Sequence, residues 1–131
     1  MTARSTWRRY WFCSWVDRNT SMTYIKAMLT IIETPLFKRE ADLLWSEDER
    51  GEFCAWLAER PDTGDVIKGS GGLRKVRWSR KGTGKRGGVR VIFFNKRVDQ
   101  EIWLLMIYAK SVREDIPLHL LRAIREELID E

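Results

Sequence analysis

Residues 73–109 read LRKVRWSRKGTGKRGGVRVIFFNKRVDQEIWLLMIYA, and three β-rich runs in this stretch decide the fold. In the first, 73–79, the alternation of strand side chains puts Lys75 and Arg77 on one face and Arg74, Val76 and Trp78 on the other. In the second, 89–95, Val89, Val91 and Phe93 share a face while Arg90 points with Ile92 and Phe94 to the opposite one. The third, 101–109, is almost wholly apolar from Ile102 to Tyr108, the pattern of a central strand covered on both faces. The links between the runs are too short for parallel crossovers, so the sheet is expected to be largely antiparallel.

The flanking sequence supplies helices. Thr34 followed by Pro35 is an N-cap with proline at the first helical position, and Phe37, Ala41, Leu44 and Trp45 then form one apolar stripe. Ser46 and Glu49 have capping-box spacing and open a second helix that buries Phe53, Trp56 and Leu57 and stops at Pro61. A short β-rich run at 29–33 precedes the first helix. After the third strand, Pro117 with Leu118, Leu121, Ile124 and Leu128 gives a closing helix. The expected order is β-α-α-β-β-β-α, an α+β domain with helices packed on a small sheet. Residues 1–21 crowd tryptophans among arginines without caps or turn chemistry and are expected to be an unstructured leader, an extension from an upstream start, before one domain at 22–131.

A chain of 131 residues suits a single domain. With 44% hydrophobic and 33% charged residues it is too apolar for a disordered chain and too charged for a membrane protein. No apolar run is long enough to span a bilayer, and a cytoplasmic protein is expected. Cys13 and Cys54 are far apart and have no metal-ligand spacing. The net charge of +5 conceals an asymmetry: nine cations and no acid lie between Lys68 and Arg90, leaving −4 for the rest. Such a basic face suits a polyanionic partner.

Lys75 and Arg77 on one strand face stand roughly 7 Å apart, close to the spacing of successive phosphates. A buried, unpaired Arg90 would cost several kcal/mol, so it must reach an acid, a ligand or the sheet rim. It is therefore a ligand candidate. His119, the one histidine, lies among leucines of the closing helix and is expected to be structural or exposed. The glycines at 69–72 match a phosphate loop in glycine content only. An enzyme acting on RNA here would have to rely on lysine and arginine.

Three motifs in order, GDVIKGSGGLRKVRW (64–78), GTGKRGGVRVIFF (82–94) and LLMIYAKSVREDI (104–116), resemble the RelE superfamily of toxins. They are most similar to the HigB-like toxins of type II toxin–antitoxin modules, over residues 28–131. The resemblance implies a RelE-like fold and a metal-independent, cofactor-free, ribosome-dependent endoribonuclease that cuts mRNA. It also implies a cognate antitoxin, a HigA-like helix-turn-helix protein. By motif position, Lys75 and Arg77 fall where phosphate-stabilising and proton-transferring cations sit, Arg90 where the transition-state arginine sits, and Lys110 at the basic rim beyond the last strand. Arg74, Lys81, Lys85 and Arg86 are expected to contact the RNA backbone. The family often carries a tyrosine or histidine near its C-terminal end; here only His119 follows Lys110, while Tyr108 and Trp78 are expected to pack as core. Two other functions fit the same features, a ParE-like gyrase poison and a non-catalytic nucleic-acid-binding module.

Overall fold

A computed structural model describes residues 8–17, 24–79, 88–109 and 116–129. Its elements are β1 (Arg8–Asp17), β2 (Tyr24–Glu33), α1 (Pro35–Leu44), α2 (Glu47–Glu59), β3 (Asp65–Val66), β4 (Arg74–Trp78), β5 (Val89–Lys96), β6 (Glu101–Ala109) and α3 (Leu118–Ile129). A 3-10 turn at Arg97–Asp99 links β5 to β6. The strands make one sheet in the order β1-β2-β6-β5-β4-β3.

The α+β class is as expected, and the sheet is mixed: β2 runs parallel to β6, and the other described pairings are antiparallel. The chain between β2 and β6 holds both α1 and α2, ample length for a parallel connection. Two elements were not expected. Residues 8–17, read as part of an unstructured leader, form β1, which pairs with β2 from Arg8↔Glu33 to Asp17↔Tyr24. The segment YWFCSWV at 10–16 is rich in aromatic and β-branched residues, and the ladder to β2 satisfies its backbone without caps. β2 accordingly starts at Tyr24 instead of residue 29. The second addition is β3, two residues long, at the opposite edge.

Both sheet faces are covered. Phe37, Ala41 and Trp45, with Phe53 and Leu57, pack from α1 and α2 on Ile31, Val76, Val91, Phe93, Leu104 and Ile107. On the other face Leu121 of α3 joins Ile32, Leu73, Ile92, Trp103, Met106 and Tyr108. This double burial explains the unbroken apolar run of β6. Leu44, read as part of the apolar stripe of α1, lies instead at the exposed margin of that helix, and Leu118 is similarly exposed at the start of α3.

The helix starts follow the capping signals. The Thr34 hydroxyl accepts the Phe37 N–H at 3.2 Å. Ser46 Oγ accepts the Glu49 N–H at 3.2 Å while Glu49 Oε1 accepts the Ser46 N–H at 3.3 Å, a reciprocal box. Ser46→Ala should therefore lower stability by about 1 kcal/mol, read as a shift in the denaturant midpoint at constant slope. At the junction of β2, α1 and α2, Arg50 is buried against Glu33 and also reaches Asp42.

Candidate nucleic-acid interface

In the β4–β5 ladder Arg77 stands directly opposite Arg90, and in the β5–β6 ladder Arg90 stands opposite Tyr108. Directly opposed residues share a sheet face. Ile92 and Tyr108, on this face, belong to the cluster under α3. Lys75, opposite Ile92, lies on the same face. The structure thus brings Lys75, Arg77 and Arg90 together, through the register of β4 on β5.

α3 packs on part of this face. Its Leu121 and Ile124 pack there, and the Arg125 guanidinium lies 5.5 Å from the Phe94 ring centroid. The Arg77–Arg90 pair lies toward the other end of β4 and β5 from Phe94, and Tyr108, opposite Arg90, belongs to the cluster that Leu121 joins. Arg77 is exposed and Arg90 half-buried. Among the described residues neither guanidinium has an ion-pair or hydrogen-bond partner. Like charges directly opposite, with Cβ atoms about 4.5–5.5 Å apart, repel. An anion placed between them converts that repulsion into charge-assisted hydrogen bonds.

The remaining basic residues separate into two groups. Arg74 points to the face of α1 and α2, where its Nη1 donates to the carbonyls of Asp62 at 2.9 Å and Thr63 at 3.4 Å. It fastens the turn before β3 and does not join Lys75 and Arg77. Arg97 pairs with Asp62 in the same corner. Lys81, Lys85, Arg86 and Lys110 lie outside the described residues. Ser79 and Gly88, the described residues on either side of 80–87, are two positions from Arg77 and Arg90, respectively.

Tyr108 takes a place that alternation did not reveal. Ile92 pairs with Met106 but Phe93 pairs with Leu104, so Leu105 is a surplus residue on β6, a β-bulge. Ile102, Leu104 and Ile107 consequently face α1 and α2, whereas Trp103, Leu105, Met106 and Tyr108 face the other way. Unbroken alternation from Leu104 would have turned Tyr108 under α1 and α2. Tyr108 is buried, as expected, at 8% exposure, yet it stands in register with the arginines.

The glycine-rich turn is a strap. The Gly69 carbonyl accepts the Arg122 Nε–H at 2.7 Å and the Gly71 carbonyl accepts the Arg125 Nε–H at 2.5 Å. Carbonyls, not amides, face the arginines, the reverse of a phosphate cradle. Gly71 has φ +87°, and a Cβ there would meet Arg125 Cδ at 2.5 Å. His119 is exposed on the first turn of α3. Among the described residues no cluster of three metal-ligating side chains occurs, and no helix is long and apolar enough to cross a membrane.

Two guanidiniums and an ammonium on one face can hold a phosphodiester and stabilise added negative charge on it. No protein-family model matches the chain.

Proposed function

We propose that this protein is a ribosome-dependent mRNA endoribonuclease, the toxin of a type II toxin–antitoxin module of RelE/HigB-like kind, working in the cytoplasm under a cognate antitoxin. The observation that carries this reading is the Arg77–Arg90 opposition, two like charges in adjacent strands with no acid beside them among the described residues. Cleavage of RNA requires removal of the 2′-OH proton, stabilisation of the phosphorane and protonation of the 5′-oxygen. Arg90 stabilises the phosphorane, and Lys75 and Arg77 hold the phosphate and serve proton transfer. Lys81, Lys85, Arg86 and Lys110 extend the contact to the RNA backbone.

The test is cleavage of message on programmed ribosomes by the purified protein, with a ribosome-free control. Cuts confined to ribosome-bound message support the reading. Binding of RNA without any cut would make the basic face a docking surface, and gyrase-dependent DNA breaks would make the protein a gyrase poison.

Arg77 also makes a prediction for binding alone. Arg77→Ala should weaken single-stranded RNA uniformly across sequences and reduce the slope of log K against log salt by about 0.7. A salt titration by fluorescence anisotropy measures this, and an unchanged slope would remove Arg77 from the phosphate contacts.

A further inference from the structure

The last ladder pair of β2 with β6 is Glu33 with Leu104, after which the chain turns into α1. Thr34 occupies that corner and is buried. Its backbone N–H donates to the Leu104 carbonyl at 3.2 Å, and its hydroxyl donates to the Leu105 carbonyl at 3.2 Å. The same oxygen accepts the Phe37 N–H, so one hydroxyl both caps α1 and holds the surplus residue of β6. Capping alone requires only the first of these bonds. The second reaches across 71 positions of sequence to the one residue that β5 leaves unpaired.

We infer that Thr34 is a positioning residue for the Arg77–Arg90–Tyr108 row, acting through the Leu105 bulge. The functional part of this inference rests on the reading of that row as the RNA site. The bond to Leu105 keeps the surplus residue between Leu104 and Met106, and Tyr108 then comes into register with Arg90. Were the surplus residue to slide toward Ala109, Ile107 would stand opposite Arg90 and Tyr108 would turn under α1 and α2. A bulky ring directly opposite Arg90 fixes the direction in which that side chain leaves the sheet. Loss of the ring would misplace the guanidinium.

The experiment compares Thr34→Ser, which keeps the hydroxyl, with Thr34→Val, which keeps the branched shape without it. On programmed ribosomes, at a temperature where each variant is folded, Thr34→Ser should cut near the wild-type rate and Thr34→Val about tenfold to a hundredfold more slowly. Placed on Tyr108→Ala, Thr34→Val should add no further loss of cleavage while still lowering the unfolding midpoint. Equal losses in both backgrounds would mean that Thr34 merely supports α1, and the inference would fall. Should Thr34→Val not fold, Thr34→Asp makes the same comparison, since an ionised carboxylate can cap Phe37 but cannot donate to Leu105.

Backbone NOEs supply a readout independent of activity. The Arg90–Tyr108 pairing should give way to Arg90–Ile107 in Thr34→Val and persist in Thr34→Ser. An unchanged pairing in Thr34→Val overturns the positioning role whatever happens to cleavage. Wild-type protein that cuts no message, together with this register change in Thr34→Val, would remove the endoribonuclease reading and leave the placement of Tyr108 by Thr34 intact.

Discussion

Arg90→Ala is expected to slow single-turnover cleavage of ribosome-bound message by about 10²–10³-fold, the cost of removing one preorganised donor from a developing oxyanion. The fold should not suffer. Arg90 faces Arg77 across the ladder, so its removal relieves a like-charge contact and should leave the unfolding midpoint unchanged or raised by the equivalent of about 0.2–1 kcal/mol. Slower cleavage together with undiminished stability separates a functional arginine from a structural one. A variant that cuts as fast as the wild type would take Arg90 out of the chemistry.

The largest stability effect is expected at Arg50. Its side chain is 2% exposed and that of Glu33 0% exposed. Nε donates to Glu33 Oε2 at 2.9 Å and Nη2 to Glu33 Oε1 at 3.2 Å, a two-pronged pair. Nη1 donates to Asp42 at 2.5 Å, and Nη2 also reaches the Lys38 carbonyl at 3.3 Å. One guanidinium thus joins the end of β2, α1 and α2. Arg50→Met takes this two-pronged pair away from the buried Glu33 and should cost about 3–5 kcal/mol, out of the roughly 5–15 kcal/mol that holds an average domain folded. Adding Glu33→Leu should restore much of the loss, because an apolar pair of similar volume can replace a buried ion pair. Chemical denaturation of the single and double variants measures both. If Glu33→Leu worsens Arg50→Met, the cost is a packing defect and not a stranded charge.

Local signals carried much of the fold. The caps at Thr34 and Ser46 are set by neighbours three residues away, and both were legible. Runs 73–79, 89–95 and 101–109 became β4, β5 and β6 with boundaries shifted by at most a residue or two. Alternation put Lys75 with Arg77 and Arg90 with Ile92; that all three cations share one face rests on the β4–β5 register, with Arg77 opposite Arg90. What escaped depended on distant partners. β1 is recognisable only through its ladder to β2, and the parallel pairing of β2 with β6 joins segments far apart in the chain. The bulge at Leu105 lies in a run with apolar residues on both faces, so no change in alternation marks it. Tyr108 was therefore read as core and nothing more. Arg50 is charged and sits inside a helix; only the convergence of Glu33 and Asp42 explains its burial. Alternation already set Arg74 on the face opposite Lys75, but its bonds to the Asp62 and Thr63 carbonyls, which replace the expected RNA contact, depend on a turn that no local pattern marks.

The β2–β6 pairing also has a kinetic consequence. β1 with β2, and β4 with β5 and β6, are pairings of chain neighbours and can form early at little entropic cost. Thr34 and Leu105, by contrast, must close a span of 71 residues, and the two subassemblies become one sheet only when they meet. Contact order of this kind slows folding, so the seam between β2 and β6 should be the late, rate-limiting event. Weakening β2–β6 contacts should then slow refolding more than it speeds unfolding, the signature of interactions formed in the transition state.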